Sequence, residues 1–162
     1  MWQIMSNVKY AVSDMATVIS TEESKAQFEE LLALQWEEVD HRRKHTALNL
    51  DYDKYIKMAE LGSHFMVFAF TKEELVGYTS MYISESPHTR SLVALTDSMY
   101  VRKEYRKVGC GQALITEAEA HSKTLGARDL MVTFKNDSPH PDIVKDLGFF
   151  SYETIYSKHI GG

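Results

Sequence analysis

The chain has one cysteine, Cys110, three prolines, and no uninterrupted apolar run long enough to cross a bilayer. A lone cysteine excludes an internal disulfide, agrees with a reducing compartment and leaves stability to packing. With 44% hydrophobic and 25% charged residues, the composition is neither disordered nor fibrous. Positive charge is also scarce. Against 23 acidic residues stand 18 Lys and Arg, a net charge of −5, so the broad positive field that drives phosphate-backbone binding is missing. A nucleic-acid partner is therefore disfavoured and a cationic acceptor suits the chain better. The opening Met1-Trp2-Gln3-Ile4-Met5 lacks a basic region followed by an apolar stretch, and the expectation is a cytoplasmic protein with no membrane partner.

At 162 residues the chain fits one domain, 1–162, with no repeat or linker. Val8 to Val12 reads as a short strand. Ser20-Thr21-Glu22-Glu23 offers a capping box in which Ser20 and Glu23 satisfy free backbone donors. In the helix that follows, Phe28, Leu31, Leu32, Gln35, Trp36 and Val39 form the inward stripe, and Glu22, Glu29, Glu30, Glu37 and Glu38 are expected mostly in water. A second helix starts at the N-cap Asp51 and stops before Gly62. Phe65 to Phe70 and Val76 to Ile83 read as a hairpin, and Leu92 to Val101 as a third strand. Beyond the polar stretch Arg102 to Gly111, a helix carries Ala113, Leu114, Glu117, Ala118, His121 and Leu125. Asp129 to Phe134 gives another strand, Ile143 to Gly148 a short capped segment, and Tyr152 to His159 alternates as a closing strand.

The segment Tyr105-Arg106-Lys107-Val108-Gly109-Cys110-Gly111-Gln112 joins a strand to a helix. Free backbone N–H groups and the positive helix end favour a bound phosphate there, and Gly109 and Gly111 allow close approach. Arg106 and Lys107 add cations, which equips the loop for a pyrophosphate. It lacks the third glycine of a dinucleotide fingerprint and the Gly-Lys-Ser/Thr ending of a P-loop.

Arg106-x-x-Gly109-x-Gly111, preceded by Asp97-x-x-Tyr100-Val101 and followed by Ala113-Leu114, resembles the acetyl-coenzyme A loop of the GNAT superfamily. The resemblance extends over most of the chain and includes a late Leu147-Gly148-Phe149. It implies an α/β (α+β) fold, a mixed, mostly antiparallel sheet flanked by helices and splayed beside Val101. It implies acetyl-coenzyme A as co-substrate, with backbone groups of Met99 and Val101 along the pantetheine arm beside Tyr100. Arg106, Lys107, Val108, Gly109, Cys110, Gly111 and Gln112 would hold the pyrophosphate, and Asn136 would lie near the pantetheine. The run from Trp36 to Asp53, the His88 loop, Asp97 and Tyr156-Ser157-Lys158 more faintly resemble GNAT proteins encoded by tailed bacteriophages.

Acetyl transfer needs a neutral nucleophile, and a lysine-like amine, with a reference pKa of about 10.4, is mostly protonated near neutrality. Asp97 is the candidate base, because it interrupts a weakly polar strand just before the cofactor segment. A hydrogen-bonded strand carboxylate is the plain alternative. A backbone N–H near Val101 is expected to meet the developing oxyanion. Many GNAT enzymes protonate the leaving thiolate with a tyrosine four residues before the glycine of Leu-Gly-Phe, and here Val144 holds that position. Tyr152, Tyr156, Ser138 and His140 are the substitutes, or the thiolate leaves without an acid.

Other features have plainer readings. His41 and His45 share a helical face, but their neighbours are cationic and no carboxylate or cysteine completes a set, so no metal site is expected. Arg42-Arg43-Lys44 reads as an exposed basic run, and His88 as a loop residue. Cys110, between two loop glycines, reads as a packing residue and not an acyl-accepting nucleophile. Tyr52, Tyr55, Tyr78 and Tyr82 divide between the core and an acceptor groove. The expected activity is direct acetyl transfer to a primary amine of a small molecule or protein, in a monomer or homodimer. The rivals are an acyl-coenzyme A-binding module without turnover and, last, a nucleic-acid partner built on the same fold.

Overall fold

A computed structural model describes residues 7–39, 46–136 and 141–161. In chain order the elements are β1 (Lys9–Ser13), α1 (Met15–Val18), α2 (Glu22–Val39), α3 (Tyr52–Glu60), β2 (His64–Phe70), β3 (Leu75–Glu85) and β4 (Leu92–Val101). A 3-10 turn (Lys103–Val108), α4 (Cys110–Thr124), β5 (Ala127–Met131) and α5 (Pro141–Lys145) follow. The five strands form one sheet in sequence order. All neighbours are antiparallel except β4 and β5, which run parallel with α4 as their crossover.

Strand alternation divides the core between the two faces of the sheet. On one face Phe65, Val67, Ala69, Met81, Ala94 and Val101 pack against Cys110, Leu114 and Ala118 of α4. On the other, Met66, Phe68, Tyr78 and Tyr100 pack against Met15 and Val18 of α1 and Phe28, Leu31 and Leu32 of α2. Phe28 meets Phe68 and Tyr78 edge-on, with ring centroids 6.2 and 5.2 Å apart. The Tyr78 hydroxyl donates to Gln35 Oε1, so this buried polar pair is satisfied inside the core.

A β-bulge falls in the middle of β4. Ser80 pairs with Ser98 and Met81 with Thr96, which leaves Asp97 as the extra residue. The bulge shifts the strand's phase: Ala94 belongs to the α4 face and Tyr100, an even number of residues later, to the α2 face. It also turns Asp97 toward α3. Beyond it the sheet opens, because β5 pairs with β4 from Leu92 to Leu95 and no farther. The splay expected beside Val101 therefore begins earlier, at the bulge.

Several boundaries differ from the sequence reading. Thr21, not Ser20, caps α2: its Oγ1 accepts from Ser24 N at 3.1 Å, while Ser20 Oγ donates to Thr17 O. The short helix α1 was missed; Asp14 caps it by accepting from Thr17 N at 2.9 Å. Asp51 caps α3 as expected, accepting from Lys54 N at 3.0 Å. Strand β5 runs Ala127–Met131, leaving Val132 to Phe134 outside it. Tyr152 to His159 forms no strand. Alternation suits those residues to a ladder, but no described strand forms one with them, and Tyr152 and Tyr156 stay 72% and 91% exposed.

Phe28→Ala should lower stability by about 3–5 kcal/mol, since Phe28 is fully buried between two rings. Leu61→Ala, at a 74% exposed position, should change it by less than about 0.5 kcal/mol. Urea denaturation of the two variants checks both.

Candidate active site

The turn that opens α4 is built on Gly109, whose φ of +83° is a left-handed conformation that side chains resist. Among the described residues, nothing beyond its chain neighbours lies within 4 Å of where a Cβ would stand on Gly109, so the backbone there is open to approach. No side chain caps the helix. Its first N–H groups, at Cys110, Gly111 and Gln112, precede the first intrahelical bond, Ala113 N to Gly109 O, and remain available to an anion. Gly111 is needed for a different reason: a Cβ there would come within 3.2 Å of both Ile143 Cδ1 and Met99 Cε. Strand β4, α4 and α5 meet at that point.

Arg106 is not presented as a free cation. Its Nη1 and Nη2 donate to the two carboxylate oxygens of Glu38, at 2.5 and 2.9 Å, and its Nε donates to Val101 O at 2.8 Å. Its guanidinium lies over the Tyr100 ring, 5.2 Å from the centroid. Arg102 behaves similarly, reaching Leu75 O and the carboxylates of Glu30 and Glu74. The acidic face of α2 is mostly exposed as expected, with only Glu38 half-buried, yet Glu30 and Glu38 also anchor the arginines and Glu29 accepts from Tyr52 Oη. The arginines pair across 68 and 72 residues of sequence, a distance that no local pattern reveals. Lys107 is exposed and Val108 half-buried.

Arg102 N donates to Val76 O, so by alternation the backbone groups of Tyr100 face β3, and those of Met99 and Val101 face the open side of β4. The Val101 carbonyl on that open side is taken by Arg106. Asn136 is exposed in the turn region beyond β5.

Asp97 sits at the bulge with two hydroxyls on one oxygen: Tyr55 Oη donates to Oδ2 at 2.8 Å and Ser80 Oγ at 2.9 Å. Tyr82 Oη stands 3.4 Å from Tyr55 Oη, and the two rings stack 10° from parallel at 6.5 Å. Behind Ser80, His64 Nε2 lies 2.7 Å from its Oγ. His64 is 4% exposed and its Nδ1 has no hydrogen-bond partner among the described residues. Burial holds the imidazole below its ordinary pKa, against the attraction of Asp97 and Asp14. Burial, then the contacts with Tyr82 and Asp97, pushes Tyr55 well above the usual phenol range. Of the four tyrosines considered for a groove, Tyr55 and Tyr82 adjoin the carboxylate, Tyr78 is core, and Tyr52 bonds to α2. His64 and Ser80 carried no sequence signal, because their meaning depends on a neighbour that the bulge supplies.

Among the described residues no group of His, Cys, Asp and Glu could hold a metal ion, and no helix is long and apolar enough to cross a membrane. His41, Arg42, Arg43, Lys44, His45, Ser138 and His140 lie outside the described residues. His88 is exposed, Tyr152 and Tyr156 are exposed, and Val144 is half-buried.

The sequence profile of the Acetyltransferase (GNAT) family matches residues 26–149, an interval that holds the bulge, the turn and α4. The chain belongs to that family. No curated protein sequence matches it. Among solved structures, an aminoglycoside acetyltransferase from an uncultured soil metagenomic sample, in complex with sisomicin, superposes with a TM-score of 0.75 at 16% identity, covering 98% of each chain. A ribosomal-protein-alanine N-acetyltransferase from Brucella melitensis gives 0.67 at 17% identity, over 94% of this chain and 99% of that one. Glucosamine-6-phosphate N-acetyltransferase from Arabidopsis thaliana gives 0.65 at 13%, over 94% and 99%. At these identities the likeness shows the GNAT fold alone.

Two predictions concern groups within the turn. Arg106 above all holds the Glu38 carboxyl below the usual carboxylate range. A depressed folded-state pKa contributes stability that is present above the unfolded value and lost as pH falls through the folded one. Thermal denaturation should therefore show Glu38→Gln less stable than the parent at neutral pH, with the gap closing on acidification. Burial pushes the Cys110 thiol up to about 11. Iodoacetamide at neutral pH should therefore label the native protein far more slowly than the urea-unfolded chain.

Proposed function

We propose that the chain is a single-domain N-acetyltransferase that moves acetyl from acetyl-coenzyme A directly to a primary amine of a small molecule or protein, with Asp97 as the base. One observation carries the reading: the only carboxylate of β4 stands at the bulge where the sheet opens, on the strand that runs straight into the Gly109 turn. Base and anion cradle thus lie on one continuous strand-turn-helix segment.

The turn suits a pyrophosphate. Gly109 leaves its approach clear, and Cys110, Gly111 and Gln112 offer backbone donors at the positive end of α4. Lys107 supplies the mobile charge, and Arg106, bound to Glu38, fixes the turn's shape. Met99 and Val101 direct backbone groups to the open side of β4, where a pantetheine arm would lie beside Tyr100, with Asn136 at the far end of the cleft. When bound, the coenzyme supplies a thioester, whose acetyl carbon accepts an amine.

The protein's part is to make that amine neutral and to hold it. Asp97 takes a proton from the incoming ammonium, and Tyr55 and Tyr82 place aromatic edges and hydroxyls beside it. The net charge of −5 suits a cationic acceptor. The fold neighbours are named for an aminoglycoside, a ribosomal-protein alanine and glucosamine-6-phosphate, each of which carries an amine. With Val144 at the usual tyrosine position, the thiolate leaves without a dedicated acid. A cytoplasmic setting, an optional homodimer and kinship with phage-encoded members belong to the same proposal. One observation favours a second reading: Val144 also suits a module that keeps acyl-coenzyme A as a ligand without turnover.

Calorimetric titration with acetyl-coenzyme A should give binding in the parent and none in Gly109→Trp, which circular dichroism should show folded. With sisomicin, glucosamine-6-phosphate and an alanine-terminated peptide as acceptor probes, Asp97→Asn should keep coenzyme binding and lose about 10²–10⁴ in kcat. Coenzyme binding with no turnover of any amine by the parent favours the ligand-binding module. No binding by the folded parent overturns both readings.

A further inference from the structure

Behind the candidate base lies a buried polar chain that the transfer reaction does not by itself require. His64 opens β2, Ser80 lies in the centre of β3 and Asp97 is the bulged residue of β4, so three adjacent strands contribute one side chain each to a row. His64 and Ser80 are 4% and 2% exposed.

The direction of each bond follows from chemistry. An ionised carboxylate only accepts, so the 2.9 Å contact between Ser80 Oγ and Asp97 Oδ2 uses the single hydroxyl hydrogen of Ser80. The 2.7 Å contact between Ser80 Oγ and His64 Nε2 must then be donated by the ring. That fixes the tautomer: Nε2 carries the proton and Nδ1 is a bare lone pair. Nδ1 has no hydrogen-bond partner among the described residues, so the Ser80 bond alone sets the tautomer. Tyr55 and Tyr82 hold the ring, with centroids 4.8 and 5.6 Å from that of His64. A fourth group, Tyr55 Oη, reaches the same Oδ2 from α3.

Resting on the assignment of Asp97 as base, we propose that His64 and Ser80 are positioning residues that fix the plane of the carboxylate presented to the acceptor amine. Tyr55 and Ser80 both donate to Oδ2, and Tyr82 also interacts with the carboxylate, so Asp97 is held from three sides. His64 acts through Ser80: by donating to Oγ it occupies a lone pair and keeps the hydroxyl hydrogen pointed at Asp97. The arrangement selects acceptors that deliver an N–H to one defined point at the mouth of the bulge, and a primary amine meets that requirement with hydrogens to spare.

The first arm of the test needs no acceptor. Long-range ¹H–¹⁵N spectra of uniformly labelled protein, with His64 assigned by the signal lost in His64→Gln, should show a neutral ring protonated at Nε2 across the neutral pH range. A ring protonated at Nδ1, or an imidazolium, overturns the proposal. The second arm uses whichever of the three acceptor probes the parent acetylates. Ser80→Ala and His64→Leu should lower kcat roughly 10- to 100-fold with the KM for acetyl-coenzyme A unchanged, and Ser80→Thr and His64→Gln, which keep the donors, should restore most of it. Full kcat in Ser80→Ala overturns the positioning role even if Asp97→Asn is inactive. Full kcat in Asp97→Asn instead removes the base assignment, so the two failures are told apart.

Discussion

The bidentate pair between Arg106 and Glu38 is the contact on which the geometry of the site depends. A left-handed glycine gives the turn before α4 its freedom, and freedom alone would leave the helix N-terminus without a fixed aim. Arg106 removes it by joining three parts at once: the carboxylate of α2, the Val101 carbonyl at the end of β4, and the face of Tyr100. Charge-assisted forks of this kind are directional as well as strong, and a pair at the edge of the core is less screened than one in open water. The helix that carries Glu38 is itself fixed by Phe28, Leu31 and Leu32 against the sheet. Core packing is thereby transmitted to a solvent-facing loop.

Much of the fold was legible in the sequence because it depends on local signals. Asp51 marked the start of α3, Lys72-Glu73-Glu74 marked the hairpin turn, and the glycines at 109 and 111 marked the entry to α4. The places where reading failed share a cause. Thr21 and Ser20 are chemically equivalent caps, and the choice between them is made by Ser24, whose hydroxyl is bound to Val18 O. Tyr152 to His159 has strand alternation, but alternation describes a surface and says nothing of a partner. The acidic face of α2 is mostly solvated as its periodicity indicates, and what periodicity does not show is that Glu30 and Glu38 also meet Arg102 and Arg106 from a later segment.

The candidate site divides in the same way. Asp97 stood out as a carboxylate in a weakly polar strand, and the turn as a strand-to-helix junction with two glycines. Ser80 and His64 did not stand out, since a serine and a histidine in β-rich segments have many ordinary uses. Their role exists only once three strands are in register, and that register contains an irregularity in β4. Arg106 illustrates the converse: its residue type pointed to an anion, and the anion it holds is a carboxylate of its own chain.

The bulge at Asp97 has a consequence for how β4 can vary. Before the bulge the even-numbered Ala94 faces α4, after it the odd-numbered Met99 and Val101 do while Tyr100 faces α2, and the extra residue is what reconciles the two phases. The length of the strand is therefore as constrained as its side chains. Removing one residue between Ala94 and Tyr100 would restore an unbroken pleat and, in doing so, exchange the inward and outward sets of one half, carrying either Tyr100 out of the aromatic core or Ala94 away from α4. Strand β4 is in this sense a measured spacer, and the carboxylate stands where the measure is kept.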